Sequence, residues 1–203
     1  MSVPRLVLVT DRYATRGRDL VAVVVAALGA GLPAVQLRDK ELSGRELFAL
    51  AERLRRETAR TGALLFVNDR IDIALAVGAD GVHLGDGSVP VEVARSLVPP
   101  ACQIGVSTHS AAELGALVGA SFAFFGPVFA TPSKAAYGPP QGEVKLREAL
   151  RTAHVPILAI GGVGAAEVPT LRVLGVAGVA VVRAILAADD PAAATHALVG
   201  ALG

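Results

Sequence analysis

Tryptophan is missing from this chain, cysteine occurs once, and the aromatics amount to Tyr13, Tyr137 and six phenylalanines. A lone Cys102 excludes an intramolecular disulfide and any multi-cysteine zinc cage. Such usage fits a reducing compartment, so a cytoplasmic location and an inert, buried thiol are expected. Neither sign of charge is in excess. With Lys+Arg at 19 and Asp+Glu at 18, the formal net charge is +1, too small for the broad basic field of a nucleic-acid binder. Any anion recognition must therefore be local, and lysine is scarce: Lys40, Lys134 and Lys145 are the full set.

Long hydrophobic runs are lacking too. The uncharged stretch 20–37 nears the length of a membrane span, but Gly29, Gly31, Pro33 and Gln36 interrupt it, and it reads as helix, turn and strand. The apolar run at 6–9 is too short for a secretory signal and meets Asp11 almost at once. No membrane partner is expected.

What is abundant is aliphatic. Hydrophobic residues make up 53% of the 203, mostly Ala, Val, Leu and Ile, alongside 22 glycines. That mixture suits parallel strands buried on both faces and covered by Ala/Leu helices. Eight short β-prone runs recur, at 6–10, 34–37, 64–68, 81–84, 103–107, 122–125, 155–160 and 178–182. Helical spacing fills the gaps: Leu47, Leu50 and Leu54 follow the capping-box pattern Ser43-x-x-Glu46, and Pro90 and Pro191 sit where helices begin. Repeated strand-helix units predict a single-domain (β/α)8 TIM barrel over residues 1–203, with a doubly wound sheet as the alternative. The longest stretch without periodicity, 126–142, carries Thr131, Ser133, Lys134 and Tyr137 among Gly and Pro. A loop of that length in a compact domain is expected to serve function, here by closing over the site.

Barrel enzymes build their sites at the C-terminal strand ends. Those ends read Thr10-Asp11; Gln36, Arg38 and Lys40; Asn68-Asp69-Arg70; His83 and Asp86; Ser107-Thr108-His109; Thr131 to Lys134; Gly161-Gly162; and Arg183. Gln36, Arg38 and Lys40 share one phase, and with Lys134 they make a cationic cluster suited to a diphosphate. Asp69 suits Mg²⁺ bridging to that ligand's oxygens. A second anion site is expected where Gly161-Gly162 follows the seventh strand and Val182-Arg183 ends the eighth. Two anion sites fit an enzyme joining two phosphorylated small molecules. Plainer readings exist for several of these residues. Asn68-Asp69 and Ser88 are favoured helix caps, Lys40 fits a solvated surface, His83 fits a hydrogen-bonded core, and His109 fits the start of a helix.

Taken together, Val35-Gln-Leu-Arg-Asp-Lys40, Phe66-Val-Asn-Asp-Arg-Ile-Asp-Ile-Ala-Leu75, Ala79-Asp-Gly-Val-His-Leu-Gly85, Ile104-Gly-Val-Ser-Thr-His-Ser110, Gly126-Pro-Val-Phe-Ala-Thr-Pro-Ser-Lys134 and Ala159-Ile-Gly-Gly162 resemble the thiamine phosphate synthase family in order and spacing. The resemblance implies a (β/α)8 barrel that joins hydroxymethylpyrimidine diphosphate to a thiazole phosphate with Mg²⁺. It implies diphosphate and pyrimidine contacts at Gln36, Arg38, Lys40, Asn68, Ser107 and Lys134, with Arg38, Lys40 and Lys134 stabilising the leaving group. Asp69 would be the metal ligand, Thr131 and Ser133 would touch the thiazole, and its phosphate would rest on Gly162, Val182 and Arg183. By analogy a homodimer is compatible.

Two positions depart from the family pattern. A metal-binding Asp is usual where Ser88 stands, leaving Asp86 as a substitute ligand, and Ser is usual where Arg183 stands. These departures lean toward the related thiazole tautomerases, which isomerise a carboxythiazole phosphate without metal. A non-catalytic phosphate-binding relative is a third reading.

Overall fold

The structure is a computed structural model, and it describes residues 2–131 and 139–203. Its strands are β1 (Leu6–Val9), β2 (Ala34–Leu37), β3 (Leu64–Asn68), β4 (Gly81–Leu84), β5 (Gln103–Thr108), β6 (Phe122–Phe125), β7 (Ile157–Ile160) and β8 (Gly178–Val181). Each pairs in parallel with the next, and β8 closes on β1 with Leu6 opposite Val179 and Leu8 opposite Val181. The (β/α)8 expectation holds, and the doubly wound alternative falls because the sheet has no edges. All eight expected runs become strands and differ only at their ends: Thr10, Val155, Pro156 and Val182 lie outside, and β5 extends to Thr108.

The helices are α1 (Leu20–Gly29), α2 (Gly44–Thr61), α3 (Ile71–Ala76), α4 (Val91–Leu97), α5 (Ala111–Gly115), α6 (Gly142–Thr152), α7 (Val168–Leu174), α8 (Arg183–Leu186) and α9 (Pro191–Leu202). Ser43 and Glu46 form the expected capping box at the start of α2, which buries Leu47, Ala51 and Leu54 against the barrel. Asp190 caps α9 through Ala193 N, and Pro191 occupies its first turn. Among the described residues no helix is long and apolar enough to cross a membrane.

Strand residues alternate between two cores. Leu6, Leu8, Val35, Leu37, Leu65 and Val67 pack outward against the helices, while Val7, Val9, Ala34, Phe66, Phe122, Phe124, Leu158 and Ala180 form a separate inner cluster. Half of the six phenylalanines fill this lumen. Phe66 and Phe122 meet edge to face, with centroids 5.4 Å apart and planes at 87°. Glycines on the two strands between them leave the room. A Cβ on Gly81 would lie 2.5 Å from the Phe66 ring and 2.6 Å from the Gln103 carbonyl oxygen, and one on Gly105 would lie 2.5 Å from Phe122.

Overpacking a filled core typically costs about 1–3 kcal/mol. Gly81→Ala is therefore expected to lower stability by about that amount or more, because the backbone oxygen of Gln103 cannot move aside. Urea unfolding checks it, the expected result being a lower midpoint at an unchanged slope.

Candidate active site

A cavity of about 1090 Å³ opens at the C-terminal ends of the strands. Ligand pockets typically run to about 300–1,000 Å³, so this one lies at the upper end of the range. Gln36, Arg38, Lys40, Asn68, Asp69, Asp86, Ser107, Thr131, Gly162, Val182 and Arg183 all line it. Ser133, Lys134 and Tyr137, with the middle of the 126–142 loop, lie outside the described residues. The two ends of that loop are tied together where Gln141 N–H donates to the Pro127 carbonyl at 2.8 Å and Gly142 N–H to that of Val128 at 3.0 Å.

The floor is a polar relay. Gln36, only 2% exposed, donates through Nε2 to Asn68 Oδ1 at 2.9 Å, and Asn68 Nδ2 donates to Asp69 Oδ2 at 2.7 Å. A carboxylate can only accept, so Asp69 fixes which way both amides face. Gln36 Oε1 is left buried with no donor among the described residues. Asp69 itself adopts a left-handed backbone (φ 59°), and its Oδ1 accepts from Gly85 N–H at 3.3 Å and from the Ser88 hydroxyl. The capping readings are corrected here. Arg70 and Pro90 occupy the N-cap positions of α3 and α4 without a side-chain capping bond, while Asn68 and Ser88 both donate to Asp69.

His109 does not open a helix either. Ser110 caps α5 through Glu113 N, and the His109 imidazole faces the cavity. Its Nδ1 meets the Gly126 carbonyl at 2.6 Å and its Nε2 stands 3.5 Å from Asp86 Oδ1. Asp86 is therefore paired with a ring nitrogen, and among the described residues no group of three or more His, Cys, Asp or Glu is placed to hold a metal. The missed signal was parity: His109 lies two residues beyond Ser107 at a strand end and shares its face.

The head groups of Arg38 and Lys40 have no hydrogen bond or ion pair among the described residues. Neighbouring acids are already committed. Asp39 accepts Glu41 N–H at 3.0 Å and Leu42 N–H at 3.1 Å and stands 3.2 Å from Arg12 Nε, while Glu41 takes Arg12 at 3.1 Å and the Tyr13 hydroxyl. Thr10, buried at 1% exposure, brackets the Arg38 backbone: its Oγ1 accepts from Arg38 N–H at 2.8 Å and donates to the Arg38 carbonyl at 3.2 Å. The turn after β2 is thus held by its acids, and its cations stay free for a ligand.

Across the cavity, Gly161 (φ 94°) and Gly162 (φ 67°) follow β7. A Cβ on Gly161 would come 2.5 Å from Pro127, and one on Gly162 2.6 Å from the Ala130 carbonyl oxygen, so this double glycine also lets the strand-six loop pack close. The Gly162 N–H makes no hydrogen bond among the described residues. Val182 leads into α8, whose first residue is Arg183.

Beneath the floor, His83 is 1% exposed and its pKa is pushed down to about 3, first by burial, with Asp69 opposing and Arg38 adding to the shift. Cys102 is buried and its thiol pKa is raised by that burial, as expected of an inert cysteine.

A closed parallel barrel with a polar cavity at the C-terminal ends of its strands is the arrangement in which barrel enzymes build their active sites. A family model described as thiamine monophosphate synthase matches residues 6–185. A Geobacter sulfurreducens protein is 49% identical over 97% of this chain and 93% of its own length. The thiamine-phosphate synthase of Roseiflexus castenholzii is 44% identical over 94% of this chain and 84% of its own. The solved thiamine phosphate pyrophosphorylase from Pyrococcus furiosus superposes with a TM-score of 0.87 at 36% identity, covering 98% of this chain and 95% of that one. The chain belongs to the thiamine monophosphate synthase family, and it is an enzyme, a transferase of thiamine biosynthesis.

Burial of a neutral His83 makes stability depend on pH. Its folded pKa lies below the unfolded value of about 6.5, so the unfolded chain binds the extra proton and stability falls as pH drops from about 6.5 toward 3. The stability of the wild type relative to His83→Phe is expected to fall as pH drops, approaching about 1.4 kcal/mol per pH unit below about pH 6. Urea titrations of both proteins at pH 7, 6 and 5 measure it.

Proposed function

We propose that the protein acts as a cytoplasmic, single-domain enzyme over residues 1–203 that condenses hydroxymethylpyrimidine diphosphate with a thiazole phosphate, releasing diphosphate. The observation that carries this is that Arg38 and Lys40, whose head groups have no partner among the described residues, line one cavity with Asp69, Gly162 and Arg183. In this reading the bond between the pyrimidine methylene and the diphosphate oxygen breaks with its electron pair leaving on the diphosphate. Arg38 and Lys40, with Lys134, stabilise the growing charge. The thiazole nitrogen supplies the electron pair for the new carbon–nitrogen bond, so no side-chain nucleophile is needed. Gln36, Asn68 and Ser107 orient the pyrimidine and its diphosphate, Thr131 and Ser133 contact the thiazole, and Gly162, Val182 and Arg183 receive its phosphate.

Magnesium fits on the donor chemistry of one corner. Mg²⁺ typically takes one or two carboxylates and fills its shell with water and substrate phosphates. Asp69 would supply the carboxylate with the Ser88 hydroxyl beside it, and Asp86 is drawn instead toward His109. Bound there, the ion would neutralise charge on the leaving diphosphate.

The test is incubation of the purified protein with both substrates and Mg²⁺. Thiamine phosphate and diphosphate are expected in equal amounts, and no product where a known synthase turns over would overturn the proposal. Arg38→Ala and Lys40→Ala are each expected to lower kcat about 10²-fold, in line with the loss of one preorganised electrostatic contact. Ser88→Asp is expected to tighten Mg²⁺ binding in the presence of diphosphate, read by calorimetry.

A second reading has its own observation: His109, held by the Gly126 carbonyl and facing Asp86, is built like a proton-transfer group, which the condensation does not require. If the activity is a thiazole isomerisation instead, it is expected to survive both chelator and Asp69→Ala; loss on EDTA treatment counts against it.

A further inference from the structure

We infer that His83 is a positioning residue that fixes Ser107 as a hydrogen-bond donor into the cavity. His83 Nε2 lies 2.9 Å from Ser107 Oγ, whereas Nδ1 is buried with no partner among the described residues. The ring is enclosed, with centroids 4.2 Å from Phe124 and 6.0 Å from Phe122, and its Nδ1 fills the space that Gly105 leaves, 2.5 Å from where a Cβ would stand. A neutral imidazole carries a single N–H, and there are two places for it. On Nδ1 it would be a buried donor facing ring carbons and a glycine. On Nε2 it donates to Ser107 and leaves only a lone pair unmatched. Buried orphan N–H groups are rarer than under-satisfied acceptors, so the proton belongs on Nε2. Ser107 Oγ then accepts from His83 with one of its two lone pairs, and its own proton turns away from the ring. Ser107 is half-buried and lines the cavity, so that proton is offered to a ligand oxygen. A serine held in this state presents its proton to the acceptor-only oxygens of a diphosphate. The plainer alternative is a histidine that merely fills the core above Phe122.

The inference rests on Ser107 as a substrate contact, and a double-mutant cycle separates the two claims. Binding of inorganic diphosphate with Mg²⁺ is measured by calorimetry for the wild type, His83→Phe, Ser107→Ala, the double variant and His83→Gln, with thermal unfolding followed in parallel. Ser107→Ala is expected to weaken binding about tenfold, the loss of one hydrogen bond to a charged group. His83→Phe is expected to weaken it several-fold in the wild-type background and not at all in the Ser107→Ala background. His83→Gln, which carries an amide N–H at similar reach to Nε2, is expected to restore most of the affinity. An equal effect of His83→Phe in both backgrounds, or none where Ser107→Ala has one, overturns the inference. Wild-type affinity for Ser107→Ala removes the contact itself, and the inference with it. Should His83→Phe fail to fold, His83→Asn, whose amide stops short of Ser107, replaces it.

Discussion

A closed eight-stranded sheet encloses a lumen that side chains must fill, and here the filling rests on three phenylalanines set against two glycines. Phe66, Phe122 and Phe124 occupy the middle of the barrel because Gly81 and Gly105 withdraw from it. Close packing at that level keeps water out. Polar residues on the inward phase lie toward the strand ends: Gln36, Asn68 and Ser107 at the cavity, and Gln103 at the opposite end of β5. His83 sits at the boundary, with an aromatic layer against its ring and a hydroxyl at its tip. Its neutrality and the orientation of the serine above it both follow from how the lumen is packed.

Above that floor, electrostatics sorts the charges by partner. Acids that line the cavity are tied to donors near their own loops: Asp11 to Tyr13 N–H, Asp39 to the turn that follows it, Glu167 to Gly164 N–H, and Asp86 toward His109. Each such bond orders a loop and lowers the acid's reach for a free cation. Acids and cations both line the mouth, and it is Arg38, Lys40 and Arg183 whose charge is not matched by a partner among the described residues.

The strands were legible because a parallel strand buried on both faces needs no alternation; a run such as Leu-Val-Leu-Val at 6–9 has no other economical use in a small soluble fold. The capping box of α2 was legible because its two bonds are local. Asn68 and Asp69 were placed at the site, but the bonds that join Asn68, Asp69 and Ser88 were not legible. Short polar side chains cap helices and bind one another with the same atoms, and only the approach of β3 to β4 decides between the two. His109 was missed for a related reason: its partner, the Gly126 carbonyl, is 17 residues away in sequence. Gly161-Gly162 was read as a phosphate cradle, yet its second role, admitting the backbone near Pro127 and Ala130, depends on a contact between strands six and seven.

Ser88 shows how one departure from a family pattern redistributes charge. A carboxylate at that position would place two negative charges at the Asp69 corner and make a cation there nearly obligatory, since like charges in contact raise each other's pKa. A hydroxyl instead satisfies Asp69 by donating to it, while its own oxygen takes the Gly85 N–H at 2.6 Å. The corner is then stable with a single charge. Two cations, Arg38 and Lys40, stand beyond the end of the neighbouring strand, and Arg183 lines the far side of the cavity. The balance between anionic substrate and protein therefore shifts from a metal held by two carboxylates toward fixed guanidinium and ammonium groups. Such groups need no loading, but under the proposed reaction they can act on a leaving diphosphate only as well as their loops hold them, which gives the bonds of Asp39 and Thr10 to the turn after β2 a positioning role.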